Sequence, residues 1–477
     1  MKYLFSSFIF IFMIHSVQSE IIIVPTDYES ISEAIEHADD GDTVLIENGD
    51  YHENVVARNQ TFTLASRYIL DHDTSHIDST ILHADDNNET YSPLRIYLED
   101  ENSVRISGLS ITGGRLTLDG YLPNQNGGGI YINNGRFHID RCHIFNNLAF
   151  HGGGIYFDEA EGVVEYCSIY NNLFKVCGGG ICFSLDEAVE GDRAGHVLIR
   201  NNHIFNNTYV DTVYNSWSGG IGISCQWAVR GIIRDNIIEN NVVKQDAGGI
   251  GIGFSMLMLG NVWEVSGNVI SFNSAQWNAG VLAANVDTLY FFSNTVESNS
   301  ATLAWGGGLS IYTPLSHYNN IYHNIFRNNS GNSGGAILTK ANAHIHHNMF
   351  IGNRDGRVSA IKVWTGNIYD RLQVNVNHNI FVNNSPLDNP EDYIAAVSAY
   401  TTDNIINLKH NDFIGNRGYA VGLPEPDVRL PGEIYADSNY WGDPSGPYHS
   451  EENPNGLGDT VRSNISIEPF STTPFTA

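Results

Sequence analysis

One short pattern recurs ten times in this chain and constrains it more than any other feature. It runs apolar, two residues, Asn or Cys, one residue, apolar, two residues, Asn. The first anchor falls at Cys142, Cys167, Asn202, Asn236, Asn268, Asn294, Asn324, Asn348, Asn379 and Asn411. Five residues after each anchor stands Asn147, Asn172, Asn207, Asn241, Asn273, Asn299, Asn329, Asn353, Asn384 or Asn416. Between these units sits a small-small-aliphatic triplet, from Gly128-Gly129-Ile130 through Gly249-Ile250 and Gly308-Leu309 to Ala420-Val421. Successive anchors lie between 24 residues (Asn324 to Asn348) and 35 residues (Cys167 to Asn202) apart. A period of this length marks a repeat architecture. Apolar positions two or five apart, broken by Asn and Gly, suit short strands and turns and not a 3.6-residue helical stripe.

These properties predict an all-β chain, a right-handed parallel β-helix in which each repeat is one coil. Parallel stacking puts equivalent residues of neighbouring coils about 4.8 Å apart. Asn tolerates left-handed backbone at a bend. Its amide both donates and accepts, so stacked copies can form a hydrogen-bonded ladder. Glycine pairs suit bends that a Cβ would crowd. Cys142 and Cys167 occupy consecutive anchors and are expected to stack as buried thiols, because the stacking distance is long for a disulfide. Five cysteines do not make a disulfide scaffold, and with no C-x-x-C pair the spacing supports no metal site.

The ends differ from the repeats. Residues 1–19 read as a secretory signal: Lys2, an apolar run from Leu4 to Ile14, then Val17 and Ser19 before the cut. The mature chain is therefore expected outside the cell, secreted, periplasmic or on the surface, with no membrane insertion. Residues 20–66 are expected to form an N-terminal cap with a short helix in Tyr28–Asp39, where Ile31, Ala34, Ile35 and Ala38 share a face. Such a helix would cover the open edge of the coil. Repeats fill 67–436, and a Pro- and Gly-rich tail over 437–477 closes the far end.

The opening segment, with its order VP, AI, GDTV and G-x-Y, the N-x-φ-x-x-N repeats and the closing NYWGDPSGP resemble secreted bacterial right-handed β-helix proteins of the pectin-lyase-like superfamily. The resemblance implies the fold and a set of polysaccharide-directed activities, none of whose signatures is present. Gly-His-Gly and Arg-Ile-Lys of polygalacturonases are absent, as is the Gly-x-x-Asp-Phe-Ile-Phe-Gly of pectin methylesterases. Lys340, Arg354 and Arg357 give only a loose echo of the chondroitinase B-like lyases.

Function must then be sought on the outer face. Lys and Arg number 24 against 53 Asp and Glu, a net charge of -29. That excludes nucleic acid as a main partner and makes an acidic polymer a poor one unless local lysines or a cation neutralise it. Tyr156, Trp217, Trp277, Trp305, Tyr312 and Trp364 are expected to form the aromatic walls of a groove for a sugar chain, the polysaccharide or glycan being the partner. A uronide lyase needs a cation to neutralise the carboxylate and a base to take the adjacent proton. Only five lysines follow the signal, and Lys340 and Lys362 are read as facing outward one coil apart. A hydrolase needs two carboxylates about the bond. Asp246 and Asp158 face outward too, but several coils apart. Lys340, Lys362 and Asp246 are thus the candidate catalytic residues, with lyase chemistry preferred over hydrolysis. The competing reading is a non-catalytic surface or adhesion module for glycans or a protein. Asp186, Glu187, Glu190 and Asp192 offer carboxylates of the kind that bind Ca²⁺, but without EF-hand spacing they read as a solvated loop. The chain is expected to act as a monomer.

Overall fold

The computed structural model describes residues 19–85, 92–116, 125–185, 195–210, 214–225, 229–253, 260–313, 318–356, 358–364, 371–386, 394–399, 404–422, 433–462 and 465–475. The signal segment up to residue 18, the acidic loop around Asp186, and Arg357 lie outside them.

Each coil contributes one short strand to each of three long parallel sheets. In one coil these are Ile155–Asp158, Glu161–Glu165 and Ser168–Tyr170. Among the described residues the three sheets contain 15, 13 and 13 strands, and within each the neighbours come from successive coils. Leu173–Cys177 then leads back to the next glycine pair. We call the sheet that follows the glycine pairs the groove sheet. Its inward residues, such as Ile250 and Ile252 or Leu309 and Ile311, are fully buried.

Two bends per coil carry the anchors, and both anchor columns are vertical files. Asn241, Asn273 and Asn299 show how they work. The main-chain N–H and the side-chain Nδ2 of Asn273 both donate to Asn299 Oδ1, at 3.0 and 3.1 Å. Nδ2 also donates to the carbonyl of Ile238 at 2.9 Å. Asn273 Oδ1 in turn accepts from the N–H and Nδ2 of Asn241. Every donor and acceptor of the buried amide is used, which is what burial of a polar group demands. The first file runs to Asn439 in the tail. The second ends on Asp459, whose carboxylate takes the amide of Asn416.

The left-handed residue is not the anchor itself. Positive φ falls on the residue just before it: Asn240, Phe272 and Ser298 in one file, His323, His347, His378 and His410 in the other. The anchor is Asn for its amide, and the strained backbone position is filled by its neighbour. The glycine pairs do answer to space: a Cβ on Gly249 would come 2.6 Å from the carbonyl of Gly280 in the next coil.

The interior is apolar and stacked in register. Phe350, Phe381 and Phe413 lie face to face with centroids 4.8 Å apart, the spacing of parallel strands. Trp441 of the tail continues this stack at 4.6 Å from Phe413. At the other end the helix is shorter than the sequence suggests, Ile31–His37, with Ile31, Ala34 and Ile35 buried. Ser30 caps it by accepting from the N–H of Glu33. Glu53 accepts from the N–H groups of Ile31 and Ser32. All five cysteines are thiols, and the N–H of Cys142 points at Cys167 Sγ, 3.4 Å away, in the first file.

Replacing Asn273 by Ala strips partners from both neighbouring amides and from Ile238. The expected loss is about 2–4 kcal/mol, read from denaturant midpoints. Asn240→Gly, at the adjacent left-handed position outside the file, should leave the midpoint nearly unchanged.

Candidate functional site

The outward positions of the groove sheet form two columns, and register decides what each does. One column runs Tyr156, Cys182, Gly222, Gly251, Leu282, Ser310, Leu338, Lys362 and Ser398. The other lies two residues further along each strand and contains Ala284 and Tyr312. Lys340 and Trp364 continue it, since the preceding residues Ile311, Thr339 and Val363 are paired. A third file runs along the glycine side: His151, Cys177, Trp217, Asp246 and Asn278, each bridged to the next coil.

Between the glycine-side file and the outer column lies a cavity of about 310 Å³. Trp217, Asp246, Trp277, Asn278, Trp305, Tyr312 and Lys340 line it, with Gly253, Leu282, Ala284 and Asn285. Four of the lining residues are aromatic, and Gly253 and Ala284 are small.

Lys340 sits in an aromatic box. Its Nζ is 4.3 Å from the Trp305 centroid, 4.1 Å from Tyr312 and 4.3 Å from Trp364. Trp305 and Trp364 face each other at 4.7 Å. Each such contact is worth roughly 0.5–2 kcal/mol to an ammonium that has lost part of its water.

Asp246 is buried and held by a directed chain. Ser310 Oγ donates to Asn278 Oδ1 at 2.5 Å, and Tyr312 Oη donates to the same oxygen at 3.3 Å. Those donors fix the amide of Asn278, whose Nδ2 then donates to Asp246 Oδ1 at 2.5 Å. Burial pushes the Asp246 carboxyl up to about 6, against the pull of the Asn278 bond and the Lys340 charge. Burial likewise pushes the Lys340 ammonium down to about 8, and Asp246 opposes it. Between these values the groove holds one anion and one cation.

Six of the expected residues meet here: Asp246, Lys340, Trp217, Trp277, Trp305 and Tyr312. Trp364 closes the box on Lys340. Two do not meet them. Lys362 is almost wholly buried in the inner column, one register away from Lys340, and its ammonium donates to Ser333 Oγ. Both face outward, but two residues apart along the strand: position 362 pairs with Leu338, not with Lys340, and Lys362 reaches the site only at the Trp364 ring, whose centroid is 5.8 Å from its Nζ. Tyr156 is six strands from Lys340 along the sheet. It is buried in a stack on Tyr131, centroids 5.9 Å apart. Asp158 accepts from Tyr131 Oη at that same end, at 2.8 Å. Asn278 is the lining residue that the residue pattern did not reveal. Its alignment with Asp246, just before a small pair in the next coil but one residue after Trp277, was the available signal.

A family model described as right handed beta helix region matches residues 53–252. The chain is a right-handed parallel β-helix. The repeats of this β-helix continue in the same register beyond the matched segment. Among solved structures, it is similar to the catalytic unit of a thermostable GH87 alpha-1,3-glucanase from Streptomyces thermodiastaticus strain HF3-3. That likeness has 12% identity and a TM-score of 0.36, and covers 85% of this chain. It spans 64% of the glucanase chain, and bears on neither activity nor substrate. No curated protein matches the sequence.

The carboxyl of Asp246 prefers to be neutral in the folded protein, so folding retains a proton between its ordinary value of 3.8 and about 6. The cost of ionising it therefore emerges as pH rises through that window and is complete above it. Relative to the native chain, Asp246→Asn should gain about 2–3 kcal/mol of stability on going from pH 4 to pH 7.5. Denaturation of both proteins at the two pH values checks this, and an unchanged difference contradicts it.

Proposed function

We propose that this β-helix binds a polysaccharide in the groove between its glycine-side file and its outer column. One observation carries the reading: tryptophans from three coils, Trp217, Trp277 and Trp305, line a single cavity. Aromatic faces pack against the apolar faces of sugar rings, and polar groups beside them take up hydroxyls. Asp246 and Asn278 supply such groups.

The charges favour an uncharged sugar chain. Among the described lining residues there is one cation, and three rings and the Asp246 charge already attend it. Little remains to neutralise a row of uronate carboxylates, and the net charge of -29 repels a polyanion. Hydrolysis asks for two carboxylates across the bond. Asp246 is the only carboxylate among the described lining residues. Binding therefore needs the fewest groups that are not seen. The segment read as a secretory signal would deliver the protein to polysaccharide outside the cell.

A second reading rests on Lys340. An amine whose proton affinity has been lowered to about 8 can act as a base in mildly alkaline solution. That suits the proton abstraction of a lyase acting on a uronide, if the polymer supplies its own counter-ions.

Binding to a panel of neutral and uronic-acid polysaccharides, by affinity electrophoresis and calorimetry, tests both. Trp277→Ala should weaken binding about 5- to 30-fold, the effect of losing 1–2 kcal/mol. Tyr156→Phe, far along the sheet, should leave it unchanged. Equal affinity of native protein and Trp277→Ala for every retained polymer would rule the groove out. Unsaturated products from a uronic-acid polymer, lost in Lys340→Met, would establish the lyase reading instead.

A further inference from the structure

The glycine-side file that supplies Trp217 and Asp246 to the groove begins with a different chemistry. One coil before Trp217 stands Cys177, and one coil before that stands His151. Cys182 lies five residues after Cys177, across the glycine run 178–180. Gly178 turns with φ +64°, and a Cβ on it would come 2.4 Å from the Cβ of Cys182. The turn thus folds the two thiols onto each other, Sγ to Sγ 3.0 Å. Coil stacking adds the imidazole. One ligand atom from each of His151, Cys177 and Cys182 lies within 4.8 Å of the others.

We propose that His151, Cys177 and Cys182 form a binding site for a thiophilic d¹⁰ cation, with Zn²⁺ as the representative ion. Two thiolates and an imidazole are a donor set for zinc, and three protein ligands leave a fourth position for water or another ligand. With metal–sulfur bonds of about 2.3 Å, two sulfurs on a tetrahedral ion sit roughly 3.7 Å apart. The thiols therefore need to part by less than an ångström. The next coil gives Cys177 Sγ its space. Gly222 stands below Cys182, and a Cβ there would come 2.6 Å from Cys177 Sγ. On the other side Tyr156 pairs with Cys182 and shields it. Cys182 is buried, while His151 and Cys177 are half-buried, so an ion can enter from the outer face. Binding releases the two thiol protons to solvent, and the metal–thiolate bonds replace them. No C-x-x-C pair announces this site, because one ligand arrives from the neighbouring coil and not from the same turn.

The test uses the full chain, reduced and stripped with a chelator under argon, then titrated with Co²⁺ as a spectroscopic stand-in for Zn²⁺. The expected result is one equivalent of Co²⁺ with a thiolate-to-cobalt charge-transfer band and the strong visible bands of a tetrahedral site. One equivalent of Zn²⁺ should abolish both. Cys177→Ser and Cys182→Ser should each lower the affinity at least tenfold and remove or weaken the charge-transfer band. His151→Ala should shift the visible bands, and Cys225→Ser should change nothing. X-ray absorption of the zinc-loaded native chain should report two sulfurs and two nitrogen or oxygen donors per metal, which holds even if a variant does not fold. Absence of the charge-transfer band in the reduced native protein overturns the proposal. So does a band that survives at full intensity in both cysteine variants. So does a protein isolated with a Cys177–Cys182 disulfide whose reduced form takes up no cobalt.

Discussion

The structure depends on one interaction, the hydrogen bond from each anchor amide to the amide of the next coil. A coil with two sharp bends exposes main-chain groups at corners that face the core and have no strand partner. Left unsatisfied there, each would cost about 1–3 kcal/mol. The asparagine file removes that cost at every level at once. Asn241, Asn273 and Asn299 each give two side-chain bonds and accept two, so the file has no loose end until the chain terminates it. The ends show the same demand. Asp459 closes one file with a carboxylate that accepts three bonds, from Gly415, the N–H of Asn416 and its amide. The cysteines at 142 and 167 are weaker members, with sulfur contacts of 3.3–3.8 Å in place of amide bonds.

Because the files lock register, everything outside them is stacked as well. Residues at one position in consecutive coils become neighbours about 4.8 Å apart. That rule turns a one-dimensional pattern into a surface. It explains why four histidines before the first-file anchors line up as His323, His347, His378 and His410, with successive centroids 5.0–5.2 Å apart. It also explains how Trp305, Tyr312, Lys340 and Trp364, which no local motif links, come to share one aromatic box. The groove is a property of columns, and a single insertion between coils would leave it intact so long as the anchors held.

The sequence made the fold legible because its signal is repeated. Ten copies of the anchor pattern identify the bends, and the triplets identify the strand that follows. The groove was legible to the same depth: counting from the glycine pairs placed Trp217, Asp246, Trp277 and Trp305 along one edge. What the pattern could not resolve was which outward positions are covered. Lys340 and Lys362 both face outward one coil apart, yet Lys362 is almost wholly buried with its ammonium on Ser333, while Lys340 lines the groove. Tyr156 failed for the same reason. An outward position is not an open one, and the stack on Tyr131 and the thiol of Cys182 cover it. Asn278 was hidden because its neighbour Trp277 drew attention to the wrong residue of the pair.

The cysteine–histidine cluster and the groove share one file, so the charge of one bears on the other. A divalent zinc ion with two thiolates carries no net charge, and the imidazole adds none. Such a site would tie the coil of His151 to that of Cys177 and Cys182, and steady the level on which Trp217 rests. It would not bring positive charge to the groove. Electrostatic selection of the polymer would still fall to Asp246 and Lys340, which offset each other between about pH 6 and 8. Over that range the other charged residues, strongly acidic in sum, disfavour a polyanion. An uncharged sugar chain is the ligand for which that charge costs nothing, and contact with the tryptophan faces is the attraction it would feel.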